Sequence, residues 1–193
     1  MNALIDVSGQ VLDIGFIWKY YQESLKSLNF RKNYFIMACL GKIDMDALEN
    51  FDIGIDLFET PTSYFDSLVT ELENLIKFNL LSAIEGRIRH NLAVRINDKQ
   101  NNFMSGQFAV LHAHAHNQAA KISFQGKQGI LQAWKRYLAD EPEKLAMLAE
   151  LESILELRHW LAHGRWWNLQ PTCHLSVEDV KDIVENALHA MDL

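Results

Sequence analysis

The chain has 193 residues, 49% of them apolar and 22% charged, and carries a formal charge of −7 at neutral pH. That length suits one domain with a core of its own, and the balance of apolar to charged residues excludes a disordered chain. The negative charge argues against a general nucleic-acid coat, which gains affinity by releasing counterions to lysine and arginine, but it leaves room for a local site.

The amino terminus, Met1-Asn2-Ala3-Leu4-Ile5-Asp6, lacks the basic start and apolar core of a signal peptide, and apolar runs such as Tyr34 to Leu40 are too short to span a bilayer. The two cysteines, Cys39 and Cys173, match no paired zinc or redox spacing and are expected as buried thiols in a reducing compartment. A soluble cytoplasmic protein without a membrane partner is the expectation.

In chain order, the pattern is mostly helical. Residues 1–60 are expected to hold two helices, Val11 to Leu28 and Tyr34 to Asn50. From Thr62 to Ile96 apolar residues such as Phe65, Leu68, Leu72, Ile76, Leu80 and Ile84 recur at three- and four-residue steps, which predicts one long amphipathic core helix after Pro61. Residues 97–128 read as an irregular insertion: Asn97 to Asn102 is loop-like, and the remainder of the insertion fits a short helix or a small hairpin. A short helix is expected from Gly129 to Ala139.

The second core helix, residues 142–163, opens on Asp140-Glu141-Pro142-Glu143, where an N-cap candidate, an early proline and acids all favour a helix start. Its end is marked by Gly164. A last helix runs from Ser176 to Met191, with Ser176-Val177-Glu178-Asp179 resembling a capping box. The fold class predicted is all-α: a single domain over 1–193, arranged as an antiparallel helical bundle with a short irregular insertion.

Chemistry concentrates in two basic clusters, Arg87, Arg89, His90 and Arg95 in one helix and Arg158, His159, His163 and Arg165 in the other. At about 100° per residue, Arg158 falls within the stripe of Leu151, Ile154, Leu155, Leu161 and Ala162, facing inward. A guanidinium cannot shed its charge, so such a position calls for a carboxylate, with Glu85, Glu150 and Glu156 as candidates, or for a phosphate-sized anion in a cleft.

In an ideal helix His163 stands roughly 140° from Arg158, but it directly precedes Gly164, where the last turn is free to depart from that angle. Trp166 and Trp167 either stack on unpaired bases or pack the chain onto the bundle. A further constellation, His112-Ala113-His114-Ala115-His116, allows a two- or three-histidine metal site, with a polar loop or helix face as the plainer alternative.

Arg158-His159-x-x-x-His163, followed by Gly164-Arg165, resembles the signature of the HEPN superfamily. The resemblance covers about Leu145 to Trp167, with support from Leu80 to Arg87. It implies a small helical bundle, a metal-independent endoribonuclease with no cofactor, and a homodimer whose two motifs form one composite cleft on RNA. A toxin or phage-defence setting, with an antitoxin or regulatory protein as a further partner, is implied as well.

Within the resemblance Arg158 binds the phosphate, His163 serves as general base or acid, and His159 orients or supplements them. Glu85 matches the polar residue of the companion helix, and Arg165, Trp166 and Arg87 are the candidates for substrate binding. Some of these toxins carry a modifiable tyrosine two positions after the histidine. Here Arg165 stands there, so that mode of regulation is not implied. Two other readings remain: a non-catalytic module that binds RNA or a nucleotide, and a helical scaffold in which Arg158 is only an interhelical ion pair.

Overall fold

A computed structural model describes residues 12–43, 60–97, 103–116, 118, 121–165 and 174–193. Among them the chain is helical and contains no strand: α1 (Ile14–Cys39), α2 (Pro61–Asn97), α3 (Phe103–His114), α4 (Ile130–Tyr137), α5 (Pro142–Ala162) and α6 (Val177–Ala190). The all-α bundle expected from periodicity is what the helices form. No helix of the described residues is long and apolar enough to cross a membrane.

Two expected helices are one in the structure. Asn29-Phe30-Arg31-Lys32-Asn33 holds neither glycine nor proline, so nothing in that stretch removes a backbone donor or favours a break, and α1 continues through it. Its stop is Gly41, at φ +67°, where the Lys42 N–H returns to the Met37 carbonyl at 3.0 Å. Residues 44–50 of the expected second helix lie outside the described residues. Cys39, at the end of α1, is exposed, contrary to the expected buried thiol, while Cys173 lies outside the described residues.

The N-terminus of α2 is closed by Thr60 and Ser63, which exchange backbone and hydroxyl hydrogen bonds: the Ser63 N–H donates to Thr60 Oγ1 (3.1 Å) and the Thr60 N–H to Ser63 Oγ (3.2 Å). Pro61 then occupies a position whose N–H has no helical partner anyway.

The chain forms two compact units. One is Ile14–Ile76, where Ile14, Ile17, Tyr21 and Ala38 of α1 are buried, the Phe35 ring lies 6.4 Å from that of Phe65, and Lys32 pairs with Asp66 at 2.6 Å. The other begins at Lys77 and includes Asp13. In it α5 packs against α6, and α4 packs against both α3 and α5. Leu80, Leu81, Ile84 and Ile88 of α2 have no accessible surface at all.

The insertion read as irregular contains α3. Met104, Phe108 and His112, spaced four apart, are buried along one face, and Phe108 meets Trp134 of α4 edge-on at 6.2 Å. Gly106 and the polar residues between these anchors hide the period in the sequence.

Residues 121–129 cap α4 with backbone oxygens. The carbonyls of Ser123 and Phe124 accept from the N–H groups of Ile130 and Leu131 at 3.0 and 3.1 Å, satisfying donors that a helix start otherwise leaves without partners. That wrap leaves no room at Gly129, where an added Cβ would sit 2.5 Å from the Gln125 carbonyl oxygen and 2.8 Å from that of Phe124. Gly129→Ala is therefore expected to destabilise the fold by about 1–3 kcal/mol, because backbone must shift to admit the methyl. Gly86, inside α2 with open space where a Cβ would go, should behave oppositely: Gly86→Ala is expected to stabilise by roughly 0.5–1 kcal/mol. Urea denaturation midpoints of the two variants check both signs.

The capping box of α6 forms as read, with Ser176 Oγ accepting from the Asp179 N–H and the Asp179 carboxylate accepting from the Ser176 N–H. Hydrogen bonds from the Ser176 side chain and backbone hold the Asp179 carboxyl below its ordinary value. A carboxyl depressed in the folded state contributes stability above its unfolded pKa and loses it as pH falls toward the folded value. The α6 cap should therefore weaken below the ordinary carboxylate range, and thermal melts of Ser176→Ala should show less of that acid loss than the parent chain.

Candidate functional site

α5 is regular through Ala162, and its end is a tight stop. His163 is the C-cap, Gly164 takes φ +79°, and the Arg165 N–H reaches back to the Trp160 carbonyl at 3.1 Å, which closes a Schellman turn. Only a residue without a Cβ takes the Gly164 conformation cheaply. Arg165 follows at φ +59° with its side chain exposed.

On the inward side, Leu148, Leu151, Ile154, Leu155 and Leu157 are buried, and Arg158 lies half-buried beside them, with 34% of its side chain exposed. Its charge partner is Glu85 of α2, one of the three carboxylates that the sequence offered. Arg158 Nε lies 3.2 Å from Glu85 Oε2, yet without the alignment of a hydrogen bond, so the contact is an ion pair and that N–H stays buried without an acceptor. The guanidinium carbon sits 5.9 Å from the centre of the Phe78 ring.

Glu85 is itself shared. Its other oxygen, Oε1, accepts from Arg89 Nε at 2.8 Å, and Arg89 Nη1 donates to the Ile122 carbonyl at 3.1 Å. Among the described residues, two guanidinium charges face one carboxylate, a net charge of +1. Glu85, only 16% exposed, thus orients two cations without cancelling both. Such a residual charge, held partly out of water, can attract a phosphate oxygen.

His159 and His163 are exposed, one turn apart, and their rings touch at a centroid distance of 4.3 Å and an angle of 60°. His163, the C-cap at φ −103°, keeps its N–H on the His159 carbonyl at 3.1 Å, and its ring meets that of His159. Arg158 turns to α2, while the imidazole pair stands at the accessible end of α5. The site so built is a partly neutralised guanidinium on the inner side of a helix end and two imidazoles on its outer side.

Arg87 belongs elsewhere. It stands about 200° around α2 from Glu85, makes a long 3.7 Å ion pair with Asp13, and lines a different groove. Trp166 and Trp167 lie outside the described residues. Sequence reasoning overlooked Arg89 as a partner of the site, although Glu85 and Arg89 form an i, i+4 pair that helix geometry alone could have flagged. Phe78 carried no such signal.

The histidine constellation is divided by the end of α3. His112 is buried with Nε2 unpartnered, His114 is exposed, and His116 lies past the helix at φ +55°, with Nδ1 against the His114 carbonyl at 3.2 Å. Because α3 ends at His114, His112 and His116 share no helical face. Among the described residues no three histidine, cysteine or acidic side chains gather as a metal-holding group.

The shared carboxylate makes the two ends of the cluster unequal. Glu85→Gln, which leaves two half-buried guanidinium groups facing each other without a counter-charge, is expected to cost about 1–2 kcal/mol in chemical denaturation, after allowance for their partial exposure. Arg158→Ala, which leaves Glu85 paired with Arg89, should cost less. Equal losses would contradict the sharing. Comparison with family models, with curated proteins and with solved structures finds no match to this chain, so what the site does must be argued from its own residues.

Proposed function

We propose that this protein is a metal-independent endoribonuclease of the HEPN type, acting as a homodimer in a toxin or defence setting. The observation that carries the reading is the end of α5, where Arg158 keeps a share of the +1 cluster and two imidazoles lie one turn apart beside the glycine stop. Those groups supply a permanent phosphate-binding charge and side chains able to move protons near neutral pH.

In the reaction, a 2′-oxygen attacks the adjacent phosphorus while the bond to the leaving 5′-oxygen breaks, giving a 2′,3′-cyclic phosphate and a free 5′-hydroxyl. One imidazole takes the 2′-hydroxyl proton and another delivers a proton to the leaving oxygen. Arg158 stabilises the charge that builds on the non-bridging oxygens. His163, at the helix terminus and exposed, is the acid or base; His159, in contact with it, orients it. A second copy would supply the opposing imidazole.

The 3.2 Å contact of Arg158 with Glu85 also favours a second reading, in which the arginine is only an interhelical tie. Single-stranded RNA incubated with the purified chain in EDTA separates the two. The nuclease reading expects cleavage to 2′,3′-cyclic ends, reduced at least about 100-fold in both Arg158→Ala and His163→Ala with folding intact. Binding without cleavage would favour a non-catalytic RNA- or nucleotide-binding module, and stability loss in Arg158→Ala with no RNA bound would favour the scaffold.

A further inference from the structure

On α1, large apolar side chains lie on the outer side as well as the inner. Ile14, Ile17 and Tyr21 are buried, whereas Phe16, Tyr20 and Phe30 are 71%, 50% and 68% exposed. Phe30 stacks along the helix on Tyr34, with ring centres 6.3 Å apart. At about 100° per residue, Phe16, Tyr20, Phe30 and Tyr34 fall within roughly 40° of one line about 27 Å long, and Ile14, Ile17 and Tyr21 lie roughly 100–160° round from it. A surface helix ordinarily keeps such an outer line polar.

Along that line the residue classes read the same in both directions. Phe16, Tyr20, Glu23, Ser27, Phe30 and Tyr34 follow at alternating steps of four and three, the spacing of a seam between paired helices. An aromatic pair, a polar pair and an aromatic pair are thus symmetric about residue 25. When a second copy of α1 lies antiparallel with the two centres aligned, Phe16 faces Tyr34, Tyr20 faces Phe30 and Glu23 faces Ser27. Each phenylalanine then meets a tyrosine. The centre gathers two Glu23 carboxylates and two Lys26 ammonium groups, so opposite charges meet there in equal number.

A two-fold interface sets one patch against its own copy, and a stripe symmetric about its middle is what that requires. An unrelated protein sets no such condition, and a carboxylate at the centre of the stripe opposes burial in a lipid surface. We propose that two copies of this protein associate through α1, antiparallel about residue 25. The area is sufficient. A fully buried aromatic side chain covers about 150–250 Å², so Phe16, Tyr20 and Phe30 at their exposures present roughly 400 Å² per copy and roughly 800 Å² per pair. Tyr34, the polar centre and Met37, itself 38% exposed, extend this toward the roughly 1,000 Å² of a specific interface. The pairing belongs to the unit Ile14–Ile76 and rests neither on the Arg158 cluster nor on RNA cleavage.

Sedimentation equilibrium of the full chain, without RNA, tests the pairing, and a dimer at micromolar concentration is expected. Phe16→Glu and Phe30→Glu should each weaken it by about tenfold or more, since each dimer gains two charges in its aromatic seam. Val110→Glu, at a position 51% exposed on α3, should leave it unchanged. Circular dichroism of each variant confirms that it is folded. With Cys39→Ser and Cys173→Ser in the background, oxidation of a mixture of Glu23→Cys and Ser27→Cys chains should give chiefly the mixed disulfide dimer, which its mass distinguishes from the two like dimers. The proposal is overturned if the chain stays monomeric at submillimolar concentration, which would leave the stripe to another protein or to another segment of this chain. It is equally overturned if the dimer survives both glutamate variants, or if like disulfides form in preference to the mixed one.

Discussion

One carboxylate between two guanidinium groups organises this end of the molecule. Arginine does not give up its charge, and neither Arg89 nor Arg158 could lie half-buried against apolar side chains without a counter-charge. Glu85 serves both, and its contact with Arg158 links α5 to α2. Arg89 passes the constraint further, since it holds the Ile122 carbonyl and lies 5.5 Å over the Phe124 ring, in the segment whose backbone oxygens cap α4. The start of α4 and the end of α5 are thereby tied to the same turn of α2.

The sharing also accounts for how a site can exist there. A fully matched pair would leave Arg158 neutralised, and an unmatched arginine would resist burial. An unequal count, two cations to one anion, avoids both outcomes at the expense of one buried N–H without an acceptor. Functional sites are where such unsatisfied groups are tolerated. On the opposite side of α2, the long Arg87–Asp13 contact leaves a second guanidinium incompletely engaged. A single helix thus carries Glu85 and Arg89 on one face and Arg87 on another.

Much of the architecture could be read along the chain. The cores of α2, α5 and α6 show apolar residues at helical steps, and Pro61, Pro142, Gly164 and the Ser176–Asp179 box mark ends that the backbone must respect. Where the reading failed, local signals were weak. Phe30 to Asn33 contains no breaker, so the gap expected there closed into α1; the choice between a short helix and a hairpin after residue 102 fell to the helix α3, whose Phe108 finds Trp134 at long range. Glycine at position 129 looks unremarkable in sequence, and only the folded wrap of residues 121–129 forbids a larger residue.

The sequence by itself determined the helical class, the ends of α2, α5 and α6 and the inward position of Arg158, because those depend on periodicity, capping and the glycine conformation within a few residues of chain. It also narrowed the partner of Arg158 to three carboxylates. Only the tertiary structure decided that Glu85 is that partner, that Arg89 shares it, that His163 rests on His159, and that Arg87 faces a separate groove. Those relations depend on which helix faces meet, and facing is set by burial summed over many residues rather than by any local run.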